Sequence, residues 1–596
     1  MEPIAAERCI GGRDLTEPRL APDGSILVYA LSTAGETRLI VHHFDGSPQQ
    51  ELASRPALRP GRGMGGGAWT FSADATSVVY VAVDGNLWQQ PLVGGAAAAL
   101  TDHGPDRSAS GPCVSSDGRN VVYVLDLAEV HVVSLVTGHT RRLDDGTADF
   151  CMDPFVDGAG TVRWMAWNVP DMAWDASRVA YSNLASGARQ RNDVAPTRSC
   201  VQQPRVLPSG EPIWVRDDHD WLNVWIGDAP LVDEPFEHAG PSWGPGQRSY
   251  DWSPDGRFVA VARNEAGFGR LCIIEIATVK VTQVARGVHG QLSWQGPRLS
   301  ALRSGARTPT QVVVYDTETW GRAEVARATT SAWSSDELIE PELVELPVSD
   351  GVVHARLYRN AGSDGRLIVW LHGGPTDQWM VTFMPRISYW WSRGWSILVP
   401  DHRGSTGHGR AYQQALRGRW GELDVSDTLA AAHFAVSAGW ATRHRMVVFG
   451  SSAGGFTALG AMAAEPHCFA AGVVLYPVSD LLELAERSHR FERHYTDSLV
   501  GPLPESAALY RERSPAYHVD RSVGTPILIM HGELDAVVPV GQSRVFAQRV
   551  RTAGGVAELQ VYPDEGHGFR QPANQLDEYR RAGDFLSRHV PVASRS

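Results

Sequence analysis

Met446-Val447-Val448-Phe449 is a short apolar run, Gly450-Ser451-Ser452-Ala453-Gly454 follows it at once, and residues 456–464 then take up helical spacing. A buried strand that passes into a helix through G-x-S-x-G is the setting of a nucleophile elbow, in which the central serine is lifted out of the sheet on a sharp turn. The spacing therefore predicts Ser452 in a strained backbone conformation with its Oγ at the N-terminus of the helix. Glycine stands on either side because a Cβ there would meet the neighbouring strand and helix. Ser451 is one residue out of frame for that geometry.

Strand and helix alternate on both sides of this point. Apolar runs at 367–371, 396–400, 446–449 and 526–530 are separated by amphipathic stretches at 424–436, 456–464, 542–550 and 575–588, which predicts a parallel sheet covered on both faces. Residues 341–346 and 353–358 read as an antiparallel pair opening that sheet. An α/β-hydrolase domain is expected over residues 331–596.

A serine hydroxyl needs a base, and the base an acid that orients it. In this fold they follow the serine in the order acid, then histidine. Ile527-Leu528-Ile529-Met530-His531-Gly532-Glu533-Leu534-Asp535 is a buried strand ending in a polar loop, and Tyr562-Pro563-Asp564-Glu565-Gly566-His567-Gly568-Phe569 sets a histidine between glycines. Asp535 is the candidate acid, with Glu533 as the alternative two residues nearer the strand, and His567 is the candidate base. His531, at the strand end, reads as a structural hydrogen-bonding residue. Two backbone donors are needed for an oxyanion. One is the amide of Ala453, and the other belongs to Leu371-His372-Gly373-Gly374-Pro375, where Gly374 is the candidate because Pro375 has no N–H.

Residues 1–330 have another texture: short apolar strands broken by turns, with little helical period. A phrase recurs at the head of each group, as Ala21-Pro22-Asp23-Gly24, Ser72-Ala73-Asp74, Ser115-Ser116-Asp117-Gly118 and Ser253-Pro254-Asp255-Gly256. Weaker copies stand at Val156-Asp157-Gly158, at Val215-Arg216-Asp217 and at Trp294-Gln295-Gly296. A period of about 40 to 60 residues is that of a four-stranded propeller blade. Seven copies predict a seven-bladed, all-β propeller over residues 1–330, including an N-terminal extension. Asp-Gly suits the tight turn between the first two strands, glycine accepting positive φ and aspartate bonding its own backbone. A β-sandwich also fits short strands, and the fixed phrase disfavours it. A literal G-x-G-x-x-G at Gly61, Gly63 and Gly66 has no strand leading into it and reads as an interblade loop.

The 596-residue chain is 43% hydrophobic and 20% charged and carries 60 Gly and 37 Pro, the profile of a folded protein rich in turns. A net charge of −13 with no basic cluster argues against nucleic acid as a partner. The first 13 residues lack a signal peptide's basic and apolar regions, and no run is long enough to cross a bilayer, so a cytoplasmic, membrane-free protein is expected. Cys9, Cys113, Cys151, Cys200, Cys272 and Cys468 form no C-x-x-C pair, so neither a disulfide scaffold nor a zinc site is indicated, and no cofactor or metal is expected. Assembly into a homo-oligomer is left open.

His372-Gly373-Gly374-Pro375, Asp401-His402-Arg403-Gly404-Ser405-Thr406-Gly407-His408-Gly409, Gly418-Arg419-Trp420-Gly421, the elbow, His531 to Asp535 with Val538-Pro539, and Gly566-His567 together resemble the prolyl oligopeptidase family. Within it they are most similar to the acylaminoacyl peptidase and dipeptidyl aminopeptidase-like branch. The likeness spans the catalytic half strongly and the propeller half more loosely. It implies a serine exopeptidase acting on short peptides or aminoacyl amides through an acyl-enzyme, most readily of aminopeptidase type. Acylaminoacyl peptidase or oligopeptidase activity is one alternative; an esterase or amidase acting on a small molecule such as an aminoacyl antibiotic is another. A binding protein with a dead hydrolase domain is disfavoured because the motif residues are all in place. Two positions depart from the family pattern. Ala453 stands where many relatives carry an aromatic residue, and Val537, two after the acid, stands where many carry the Arg or Asn that grips the substrate's P2 carbonyl. Exopeptidase relatives hold the substrate amine with acids. No Glu-Glu doublet is present here, and Glu211 and Glu492 are the candidates.

Overall fold

The computed structural model describes residues 2–10, 12–33, 35–52, 54–60, 66–185 and 198–593. The chain divides into two compact units, Gly12–Thr330 on one hand and Met1–Gly11 with Ser331–Ser596 on the other.

The first unit is seven sheets, each made of consecutive strands: six have four, and the fourth (Phe150–Val156, Thr161–Trp167, Arg178–Asn183) has three among the described residues. It is a seven-bladed β-propeller. The recurring phrase forms the turn between a blade's first two strands, and its aspartate caps that turn. Asp23, Asp74, Asp117 and Asp255 accept the amides of Ser25, Thr76, Arg119 and Arg257 at 3.0 to 3.1 Å. Gly24, Gly118 and Gly256 take φ of 71°, 70° and 67°. In the fifth blade the corresponding turn is Leu207 to Glu211, between Val201–Val206 and Pro212–Arg216. Val215-Arg216-Asp217 instead opens the next turn, because Leu207-Pro208-Ser209-Gly210 makes the same bend without the aspartate. The blade ring closes where the Arg13 amide donates to the Ala328 carbonyl at 2.7 Å and the Leu20 amide to Ser293 Oγ at 3.1 Å. Gly61 and Gly63 lie outside the described residues.

The second unit is an eight-stranded sheet. Its strands are β1 (Glu342–Val348), β2 (Gly351–Tyr358), β3 (Leu367–Leu371), β4 (Ser396–Asp401), β5 (Met446–Ser451), β6 (Ala471–Leu475), β7 (Ile527–Gly532) and β8 (Ala557–Tyr562). Their order is β1-β2-β4-β3-β5-β6-β7-β8, antiparallel at β1, β2 and β4 and parallel from β4 onward. Every residue of β3 is buried, as a central strand covered on both faces requires. Helices α1 (Leu423–Ser437), α2 (Ala453–Ala464) and α3 (Val540–Thr552) supply apolar residues to one face, and α4 (Pro572–His589) to the other.

Among the described residues, the N-terminal extension packs with this second unit. The Ile4 amide donates to Ser392 Oγ at 3.0 Å, Arg393 donates to the Ile4 carbonyl at 2.8 Å, and Arg8 pairs with Glu337. Ala6, Cys9 and Ile10 lie against the cluster that holds Tyr389 and Trp390.

One ion pair joins β2 to β4 inside the sheet. Arg356 grips Asp401 with both arms of its guanidinium, at 2.6 and 2.5 Å, and both side chains are buried. Gln378 Nε2 and His408 Nε2 complete the shell of Asp401 at 2.7 and 2.8 Å. Burial alone would push Asp401 up; the guanidinium, with His408, holds it far below the usual carboxylate range. Arg356→Leu strands that charge and should destabilise the unit by about 3 to 5 kcal/mol. Arg359→Leu, which breaks an exposed pair with Glu342, should cost about 0 to 1 kcal/mol. The two urea midpoints provide the comparison.

Candidate active site

β5 delivers the chain to Ser452, which stands at φ 54°, ψ −121° before α2 begins. The backbone is clamped there: the Ser452 amide donates to the Leu475 carbonyl on β6 at 3.0 Å, and its carbonyl accepts from Phe456 at 3.1 Å. A Cβ at Gly450 would lie 2.1 Å from the Gly454 carbonyl oxygen, and one at Gly454 would lie 2.4 Å from that of His372. Both contacts are closer than any side chain tolerates, so only glycine lets strand, turn and helix meet.

The loops after β7 and β8 bring the other two groups to this serine. The Ser452 hydroxyl lies 3.0 Å from His567 Nε2, and His567 Nδ1 lies 2.7 Å from Asp535 Oδ2. A carboxylate accepts only, so Nδ1 carries the proton and Nε2 is free to receive the serine's. Asp535 Oδ1 accepts the amides of Val537 and Val538, both at 2.8 Å. Its Oδ2 is shared with a second imidazole, His531 Nε2, at 3.3 Å. Burial pushes Asp535 up, but the donors from His531 and His567 and the Val538 amide outweigh it and hold the acid well below the usual carboxylate range.

His531 is fully buried. Its Nε2 faces the Val538 carbonyl at 2.9 Å as well as Asp535, and its Nδ1 faces Ser543 Oγ at 2.8 Å. Nε2 meets two acceptors and so bears the proton, while Nδ1 takes one from Ser543. Tyr476, which sequence reasoning missed, directly follows β6 at φ 36° and sets its ring 4.5 Å from that of His567. No local motif marks it; a positive φ on a tyrosine emerges only in the fold.

The loop after β3 lies against the elbow. A Cβ on Gly373 would stand 3.5 Å from that of Ser452. His372 is buried, its Nδ1 donating to the Gly373 carbonyl at 2.7 Å and its Nε2 accepting from Ser405 at 2.7 Å, and burial pushes it down to about 4, so it is neutral. Among the described residues the amides of Gly374 and Ala453 have no acceptor of their own. Two free donors beside a serine hydroxyl can serve as an anion receptor.

A family model described as the prolyl oligopeptidase family matches residues 381–592. Those residues carry a prolyl oligopeptidase family domain. The chain is 33% identical over 256 residues to dipeptidyl peptidase family member 6 of Caenorhabditis elegans, a match covering 41% of this chain and 34% of that one. It is 27% identical over 233 residues to acylamino-acid-releasing enzyme 1 of Oryza sativa subsp. japonica, covering 37% and 30%. The matches thus span about a third of these relatives' length. A solved Mycobacterium tuberculosis puromycin-hydrolyzing peptidase superposes with a TM-score of 0.90 at 27% identity, covering 100% of this chain and 97% of that one.

Against the prolyl oligopeptidase family pattern, the two departures have definite places. Ala453 is buried as the first residue of α2, and Val537 is half-buried with its amide spent on Asp535. Glu533 is exposed and paired with Arg544, apart from His567. Glu492 precedes the short helix Tyr495–Leu499, whose Tyr495 hydroxyl bonds Thr376 Oγ1 at 2.6 Å, two residues past Gly374; its carboxylate lies 3.7 Å from His489. Glu211 is exposed on its propeller turn and accepts from Ser209 at 3.1 Å. Asp535→Asn should therefore lower kcat by about four orders of magnitude, since the imidazole loses its tautomer and hold. Glu533→Gln should stay within a few-fold. Steady-state kinetics on one chromogenic amide separates the two acids.

Proposed function

We propose that this chain is a serine exopeptidase of aminopeptidase type, hydrolysing short peptides or aminoacyl amides with Ser452 as nucleophile, His567 as base and Asp535 as orienting acid. The observation that carries the reading is the unbroken hydrogen-bond run from Ser452 Oγ through His567 to Asp535, facing the free amides of Gly374 and Ala453.

In the first step Ser452 Oγ attacks the scissile carbonyl carbon while its proton passes to His567 Nε2. The carbonyl oxygen becomes an oxyanion between the two amides. As the C–N bond breaks, Nε2 returns the proton to the leaving amine and an acyl-enzyme remains. Water, deprotonated by the same nitrogen, then releases the acid and restores the serine. Asp535 keeps Nδ1 protonated throughout and favours the imidazolium without taking its proton.

The aminoacyl-amide reading draws support from the puromycin-hydrolyzing relative, since puromycin is an aminoacyl amide. The acylamino-acid-releasing relative favours a second reading, removal of N-blocked residues. No described helix is long and apolar enough to cross a membrane, in keeping with the proposed cytoplasmic residence.

A fluorophosphonate probe should label the wild type at Ser452, and Ser452→Ala should abolish both labelling and turnover while substrate still binds. Labelling that survives that substitution sinks the assignment. Alanine p-nitroanilide should be cleaved faster than its N-acetyl counterpart; the reverse order selects the second reading.

A further inference from the structure

The loop that carries Gly374 continues as Pro375-Thr376-Asp377-Gln378. It folds back at once: the Asp377 amide donates to the Pro375 carbonyl at 3.1 Å, and the Thr406 amide donates to the Asp377 carbonyl at 3.0 Å. A Cβ at Gly374 would stand 3.0 Å from that of Asp377. The Asp377 side chain thus springs from the backbone flank of the residue whose free amide is assigned to the oxyanion.

Its carboxylate is only partly covered and accepts one hydrogen bond, from the Gln378 amide to Oδ1 at 2.8 Å. Among the described residues no arginine, lysine or histidine pairs with it. The charge it does feel is Asp401, of like sign, whose own oxygens are taken by Arg356, Gln378 and His408. Burial, with Asp401 adding, pushes Asp377 up to about 6, so it is ionised at neutral pH yet lacks a counter-charge. Three shielded acids of this unit have charged or imidazole partners, Asp401 with Arg356, Asp427 with Arg403 and Asp535 with two imidazoles, and Asp424 and Glu565 are each met by two or more neutral donors, whereas Asp377 has the one amide.

In an aminoacyl substrate the α-nitrogen is two bonds from the scissile carbonyl carbon, about 2.5 Å away. Wherever Gly374 holds the carbonyl oxygen, the α-ammonium lies within a few ångströms of the same stretch of backbone. We propose that Asp377 is the subsite for the free α-ammonium of the substrate's first residue, and that the substrates are aminoacyl amides and short peptides with an unblocked N-terminus. The proposal rests on the aminopeptidase reading and replaces Glu492 and Glu211 as the amine-holding acid. Glu492 already faces His489, and Glu211 is solvated on a turn.

The test is the ratio of kcat/KM for alanine p-nitroanilide to that for N-acetyl-alanine p-nitroanilide, with each variant's active sites counted by fluorophosphonate titration. Asp377→Asn should lower the ratio about ten-fold or more, mainly through KM for the free amine, because a charge-assisted hydrogen bond is lost. Glu492→Gln should keep the wild-type ratio. If Asp377→Asn retains the wild-type ratio, or if Glu492→Gln is the variant that loses it, the subsite is not Asp377. Should Asp377→Asn yield no titratable enzyme, Asp377→Glu carries the test: moving the charge by one methylene must change the ratio several-fold, and an unchanged ratio overturns the proposal. A wild type that does not prefer the free amine is a different failure, since it removes the aminopeptidase reading and this proposal with it.

Discussion

The catalytic unit is organised by one steric constraint, the close approach of β3, β5 and α2 around Ser452. Gly450 and Gly454 permit it: a single added carbon at either would stand within 2.4 Å of a carbonyl oxygen. That approach places the serine at φ 54° and its side chain off the sheet, at a conformational cost that the clamp from Leu475 and Phe456 offsets. The same approach brings the His372 loop against the elbow, so the Ser452 hydroxyl and the free amides of Gly374 and Ala453 are positioned by one packing event.

A second layer holds that loop from behind. Asp401 ends β4, and its shell links β2 through Arg356 to the oxyanion loop through Gln378 and to the following loop through His408. His372 reaches the same following loop through Ser405. A buried charge pair seldom adds much net stability, and its use here is positional: each donor comes from a different segment, so the segments are registered against one another.

Much of this was legible in the sequence because the constraints are local. G-x-S-x-G, the glycine pair after His372, and a histidine between glycines each encode a backbone that few residues can follow. The blade phrase was legible for the same reason, an aspartate capping its own turn. Where Pro208-Ser209-Gly210 makes the bend in place of Asp-Gly, the aspartate marker falls one turn later in the sequence. Chain order places the N-terminal extension beside the blades, whereas its partners, Ser392 and Arg393, are almost four hundred residues away. Tyr476 and the sharing of Asp535 by two imidazoles are likewise products of sheet order, since β6 and β7 become neighbours only in the fold.

That sharing has a consequence for pH. Asp535 is lowered in the folded state, so its contribution to stability is fully present above the unfolded carboxylate pKa of about 3.9 and fades only as pH falls through the lower folded value. The acid stays ionised on mild acidification, and a loss of activity there does not arise from its protonation. His531 contributes to that margin without touching substrate. Its tautomer is set by Val538 and Ser543, so it donates to Asp535 and never competes with His567 as a base. The hydrogen-bonding histidine at the strand end is therefore a positioning residue, one that holds the charge opposite His567.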